Sequence, residues 1–319
     1  MSTGPAGHMT RSPVVTHSER GGRTPLRRLL RTFDGVTIDA VYEPGGVVYE
    51  AGTPLSRHPV FVVAHGFTGD LQRPHVRRVA RALARYGAVV TFSFRGHGAS
   101  GGRSTVGDRE VLDLAAAVAW ARELGHARVV TVGFSMGGSV VLRHAALHAD
   151  GKHGEGRGTE HGGRTDARVD AYRNAHTDAV VSVSAPARWY YRGTAPMRRL
   201  HWLVTRPAGR LVGRYGFRTR IHHRDWDPVP SSPVESVPLI APTPLLVVHG
   251  DRDAYFPLDH PRMLAEASGG HAELWLERGM GHAENAADDE LLDRIGRWAA
   301  ATVPRQRPRG RSQERDLRL

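Results

Sequence analysis

The 319-residue chain contains no cysteine. Disulfides, thiolate zinc sites and a cysteine nucleophile are thereby excluded, and any metal or nucleophile must be argued from His, Ser, Asp or Glu. No stretch approaches the ~18 consecutive apolar residues of a membrane span. The polar start, MSTGPAGHMTRSPVVTHSERGGR, lacks the apolar core of a secretory signal. A soluble cytoplasmic protein is the expectation. Internal repeats with a period of roughly 20–50 residues are also missing, which argues against a solenoid or propeller. What is present, 40% hydrophobic residues over this length, suffices for one large α/β domain carrying an insertion.

Positive charge is unevenly placed. Residues 1–31 hold six Arg against Glu19, and residues 304–319 hold six Arg against Glu314 and Asp316. Ten Arg face only Asp225 and Asp227 between Pro186 and Pro230. The three stretches carry +17 together, which leaves −5 for the rest of a chain whose total is +12. A nucleic-acid footprint calls for a basic stripe on the folded body with stacking aromatics or a recognisable module. Neither is found, so nucleic acid is not an expected partner.

Along the chain, 1–30 reads as a disordered basic arm and 304–319 as a disordered basic tail. LRRLLRTFDGVTIDAVYEP reads as a β-hairpin turning at Asp34-Gly35, with a further strand at Val47 to Tyr49. Short apolar runs then alternate with amphipathic stretches: strands at 59–66, 88–94, 128–134, 179–184, 242–250 and 272–277, and helices at 75–87, 108–125, from Met136, at 261–267 and at 289–300. Asp108 is the expected N-cap of the second helix and Gly125 its stop. Apolar runs with helices between them predict a mostly parallel sheet covered on both faces. The predicted organisation is a core in two parts, 31–185 and 239–303, with a helical cap at 186–238. Residues 150–178 form a Gly-, His- and charge-rich flexible insertion. Its His153 and His161, with His176, lack a fixed ligand spacing, and neither metal nor cofactor is expected.

The stretch VVTVGFSMGGSVVLRHAA places one serine where a buried strand must turn into a helix. Ligands gather at the carboxyl ends of parallel strands. Gly133-Phe134-Ser135-Met136-Gly137 matches G-x-S-x-G, in which small neighbours permit a sharp turn that exposes the hydroxyl. The Met136 N–H, in the first helical turn, has no intrahelical acceptor and favours developing negative charge. AHGFTG at another strand end offers the Phe67 N–H as a second donor, with His65 structural. A hydroxyl needs a neutral imidazole to take its proton, and the imidazole needs a carboxylate to fix its tautomer. HGDRD ends in Asp253, and GMGHAE presents His282 after the next strand.

The chain from about Arg31 to Val303 resembles the α/β-hydrolase fold family, in its esterase, monoacylglycerol-lipase-like and serine-aminopeptidase-like branch. HGFTG, FRGHGAS, GFSMGG, HGDRD and GHAE carry the resemblance. It implies Ser135 as nucleophile, His282 as general base and acid, Asp253 as orienting acid, and Phe67 and Met136 as oxyanion donors. Asp251 then holds the turn, because the family's acid ends the HGxxD pattern. Many relatives have Asp where this chain has Ser93, so the anchoring of Arg95 is expected to differ.

The expected function is hydrolysis of a carboxylic ester or related acyl substrate through an acyl-enzyme. The same residues leave open a peptidase, thioesterase or acyltransferase, and a non-catalytic ligand-binding protein of the same fold. Trp189, Tyr190 and Trp202 in the cap are candidate substrate contacts. Met197, Leu200, Val204, Ala208, Leu211 and Tyr215 read as one apolar helical face packed on the body, broken by Pro207. The opposite arginine face is solvated or meets an anionic substrate or lipid surface. Oligomeric state is not legible.

Overall fold

Asp34-Gly35 folds the chain back on itself, with Gly35 at φ +83° and the Thr32 N–H donating to Val36 O at 2.9 Å. The strands so joined, β1 (Leu26–Arg31) and β2 (Thr37–Glu43), pair antiparallel from Leu26–Tyr42 to Arg31–Thr37. The computed structural model describes residues 24–46, 58–149 and 175–302. The strand expected at Val47 to Tyr49, His153 and His161, most of 1–30 and of 150–178, and the tail 304–319 lie outside the described residues. The expected arm boundary at residue 30 is corrected: Leu26 to Leu30 belong to the sheet, with Leu30 buried and Arg27 bonded to Asp39 at 2.6 Å.

The remaining strands are β3 (Val60–Ala64), β4 (Ala88–Phe92), β5 (Val129–Phe134), β6 (Ala179–Val183), β7 (Leu245–Gly250) and β8 (Ala272–Glu277). They complete one sheet in the order β1-β2-β4-β3-β5-β6-β7-β8. Pairing is antiparallel at β1-β2 and β2-β4 and parallel throughout the rest. Strand β3 shows why its sequence is a continuous apolar run. Successive side chains point to opposite faces, and both faces are covered. Val60, Val62 and Ala64 join one core cluster, Phe61 and Val63 the other. The first cluster is closed by α2 (Glu110–Glu123) and α3 (Met136–Leu147), the second by α1 (Pro74–Leu83) and the last helix, α8 (Asp289–Thr302). Each fully buried Val or Leu contributes roughly 1.5–3 kcal/mol.

One helix start differs from expectation. The N-cap of α2 is Arg109, with no side-chain cap, and Asp108 instead lies 3.7 Å from Arg143. Glu110 organises this turn: its buried carboxylate accepts the N–H groups of Thr105, Val106 and Gly107 and the hydroxyls of Ser104 and Thr105. A carboxylate in the first turn complements the helix dipole while fixing the preceding loop. Arg95, with Ser93 two residues before it, is gripped by Asp113 and Asp34 at 2.8 Å each. Ser93 itself accepts the Leu71 N–H at 3.1 Å.

Between β6 and β7 the chain forms α4 (Ala195–Thr205), α5 (Pro207–Gly216) and the short α6 (Pro233–Ser236), followed after a 3₁₀ turn and β7 by α7 (Asp259–Ala267). Pro207 divides α4 from α5 as its ring requires. The continuous apolar face does not survive this break. Met197 is buried, whereas Leu211 and Tyr215 are exposed, and α5 turns Gly209 and Gly213 inward. A Cβ on Gly209 would stand 2.4 Å from Trp202 O, so only glycine lets the two helices approach this closely. The base of the segment is stitched to the body at His97–Thr219 and Ser104–Ile221.

Candidate active site

Strand β5 runs into α3 through Ser135, whose φ of +52° and ψ of −114° lie in a region that side chains rarely occupy. The tight turn is held by small neighbours. A Cβ on Gly133 would sit 2.2 Å from Gly137 O, and one on Gly137 would sit 2.1 Å from Ala64 O. Gly137→Ala is therefore expected to cost about 3 kcal/mol or more, read as a shift in the urea midpoint without a change in slope. An unshifted midpoint would show that β3 and α3 can separate at no cost.

The sequence places its three candidate polar residues after β5, β7 and β8, and the structure brings them together. The Ser135 Oγ–H donates to His282 Nε2 at 2.9 Å, and His282 Nδ1–H donates to Asp253 Oδ2 at 2.7 Å. An ionised carboxylate only accepts. Nδ1 thus carries the ring proton and Nε2 is left to receive the serine's. Burial alone pushes the Asp253 carboxyl up, yet the His282 hydrogen bond and charge and the N–H groups of Phe256 and Tyr255 hold it below the ordinary range. His249 lies 3.6 Å from Asp253, but burial lowers its pKa and its Nε2–H donates to Phe256 O at 2.8 Å. It stands as a neutral neighbour rather than a rival charge.

Phe67 and Met136 flank the serine. Met136 is the first residue of α3, where N–H groups point out of the helix. On the other side, the Gly66 N–H donates to Glu284 Oε1 at 3.0 Å and the Thr68 N–H to His97 Nε2 at 3.3 Å. The Phe67 N–H between them has no acceptor among the described residues. His65 is structural: fully buried, it donates from Nδ1 to Gly66 O and accepts the Phe94 N–H. Asp251 holds the turn through the Gly279 N–H at 2.6 Å.

A cavity of about 460 Å³ opens from Ser135 under α4. Trp189 and Tyr190 line it. Trp202 does not and is 49% exposed, because the helical turn that aims Leu200 and Val204 at the cavity carries it outward. The indole N–H groups of Trp189 and Trp226 are spent on Pro230 O (2.9 Å) and Thr105 O (2.7 Å). Both rings therefore offer the cavity only apolar surface.

Three contributors were missed from sequence. Tyr255 stacks on the His282 ring at 4.2 Å, and the aromatic pair one residue beyond HGDRD was the available signal. Glu284 ties the His282 loop to the Phe67 loop. Ser184 accepts the Ala283 N–H at 3.0 Å, fixing the histidine's neighbour at φ +55°. Nothing in the pattern around Glu284 or Ser184 reveals those bonds. Among the described residues no group of three or more His, Cys, Asp or Glu is disposed to hold a metal ion. None of the described helices is long and apolar enough to cross a membrane.

The profile of the Alpha/beta hydrolase family matches residues 60–294. Among solved structures, the chain is similar to the Pyrococcus furiosus esterase Pf2001, at 22% identity and a TM-score of 0.62 over 88% of this chain and 92% of that one. The alpha/beta hydrolase GrgF from a Penicillium species gives 17% identity and a TM-score of 0.59, covering 88% of this chain and 99% of that one. A Xanthomonas campestris serine hydrolase described as lidless gives 18% and 0.52, covering 88% and 94%. At these identities the similarity is one of fold. The profile match spans well over half of the chain, and the protein belongs to the alpha/beta hydrolase family.

Proposed function

We propose that the protein is a serine hydrolase that cleaves a carboxylic ester with an apolar acyl group. The observation that carries this reading is the unbroken hydrogen-bonded line from Ser135 through His282 to Asp253 at the floor of a cavity. In the reaction, Ser135 Oγ attacks the substrate carbonyl carbon while its proton passes to His282 Nε2. The imidazolium is stabilised by buried Asp253. Charge gathering on the carbonyl oxygen is met by the Phe67 and Met136 N–H groups, each donor being worth about 3 kcal/mol in the transition state. The bond to the leaving alcohol breaks as His282 returns the proton to it, giving an acyl-enzyme. Water, deprotonated by the same imidazole, then releases the acid and the free serine.

Support for an ester with a hydrophobic acyl part comes from the cavity wall, where Val106, Met197 and Leu200 accompany the two indole rings. The test is labelling with a fluorophosphonate probe, which requires an activated serine, followed by turnover of p-nitrophenyl esters of increasing acyl length. Covalent modification of Ser135 with activity peaking at a medium chain is expected. A failure to label would leave a ligand-binding protein of the same fold. Faster cleavage of matched thioesters or amides would move the assignment to those substrates.

A further inference from the structure

The phase change at Pro207 leaves an outer face with no role in the cavity. Helix α4 spends its apolar residues Met197, Leu200 and Val204 on the cavity wall. Helix α5 turns its glycines inward, and Leu211, Val212 and Tyr215 stand 57%, 45% and 75% exposed. Ala208, Leu211, Val212 and Tyr215 follow the three-and-four spacing of a single helical stripe. Phe217 continues the patch beyond the helix end. Large apolar side chains grouped on one exposed face mark a surface that meets something.

The charges say what. No Asp or Glu occurs between Ala185 and Arg224, while Arg198, Arg199, Arg206, Arg210, Arg214, Arg218 and Arg220 crowd the same two helices and their exit. Only Arg188 of the segment's ten arginines pairs with a carboxylate among the described residues, Asp259 at 3.0 Å. The Arg214 guanidinium lies over the Tyr215 ring at 5.6 Å, so charge and apolar surface are interleaved. A second copy of the chain would bring like charges into opposition. A polyphosphate backbone would match the arginines but leave Leu211 and Val212 in contact with nothing apolar. A surface that is anionic outside and hydrocarbon within satisfies both sets.

We infer that the outer face of α5 docks on anionic phospholipid membranes, its apolar stripe at the headgroup boundary and its arginines among the headgroups. This is separate from the chemistry at Ser135 and calls for no opening of the cap. The face stays outside while the cavity stays roofed by α4.

The experiment is co-sedimentation of the full chain with phosphatidylcholine vesicles, with and without phosphatidylserine, at low and high salt. Binding is expected only with phosphatidylserine, and it falls with salt. R206Q/R214Q/R218Q lowers the partition coefficient on the order of a hundredfold at low salt. L211S/Y215S weakens it roughly tenfold or more. Both variants keep wild-type turnover of a soluble short-chain ester, so loss of docking and loss of hydrolysis are read independently. Equal binding to neutral vesicles, or binding untouched by both variants, overturns the proposal. So does a vesicle-free dimer that L211S/Y215S dissolves, or a DNA duplex that binds the face without regard to L211S/Y215S.

Discussion

Ser135→Ala is expected to lower kcat/KM for p-nitrophenyl esters by a factor on the order of 10⁵–10⁶. The side chain is partly exposed and its only hydrogen-bond partner among the described residues is His282, so the thermal midpoint should barely move. The informative part is the comparison with its neighbours. His282→Ala removes the proton acceptor and should cost about as much. Because hydroxyl and imidazole act as one unit, the double variant should be no slower than either single, roughly 10³-fold above the uncatalysed rate through the oxyanion donors and binding. Asp253→Asn is expected to cost about 10⁴, since an amide NH₂ facing Nδ1 turns the ring to the tautomer that protonates Nε2. Additive losses, or full turnover in the serine variant, would place the chemistry elsewhere.

The second large effect is a collapse of stability between about pH 6.5 and 4. Three buried histidines each accept a backbone N–H on a ring nitrogen: His65 from Phe94 (3.0 Å), His97 from Thr68 (3.3 Å) and His260 from Ala187 (2.9 Å). Burial is the main cause that lowers their pKa values, to about 3 for His65 and about 4 for His97 and His260, from 6.5. A proton on the accepting nitrogen would also forfeit the N–H bond. The unfolded chain, in contrast, takes up these protons near pH 6.5. Below that pH it binds more protons than the folded protein, so stability falls as pH falls. Each group contributes about 1.4 kcal/mol per pH unit until its folded pKa is reached. With three groups the loss by pH 4.5 is of the order of the whole stability of a typical domain. Asp253, held below 3.8, adds a loss of the same sense only under about pH 4. Urea unfolding at a series of pH values reads the result as a proton uptake of at least three, since burial also lowers His144 and His249. A flat profile from pH 7 to 4.5 would refute it. These histidines brace the Phe67 loop, the Arg95 loop and, through Ala187, the start of the segment between β6 and β7. Activity should therefore fade with the fold rather than ahead of it.

The sheet was legible because burial on two faces writes itself as apolar runs, unbroken from Val60 to Ala64 and interrupted only by Thr131 from Val129 to Phe134. The serine turn was legible for a related reason: a backbone forced within contact distance of Gly137 and Ala64 tolerates only glycine. Asp253 and His282 could be read from their places just past strands. What escaped was set by contacts between distant segments. Glu284 reaches back 218 residues to the Gly66 N–H, and no local pattern encodes that. The N-cap expected at Asp108 failed because Glu110 bonds the same loop with both oxygens. The segment between β6 and β7 misled for a helical reason. Pro207 restarts the helix, so a face counted across it loses phase and Tyr215 ends up facing outward, whereas Trp202 is carried outward by the turn of α4 that aims Leu200 and Val204 at the cavity.

Under the proposed mechanism, the order in which the polypeptide is made has a consequence for when Ser135 becomes reactive. The nucleophile's strand lies mid-sheet, but its base arrives 147 residues later, beyond the edge strand β8. A growing chain can carry β3, β5 and the strained serine long before that strand exists, and through this interval the hydroxyl has no imidazole to accept its proton. On the proposed mechanism Ser135 is therefore inert on the ribosome and becomes competent only when the far edge of the sheet is laid down, which couples reactivity to completed folding.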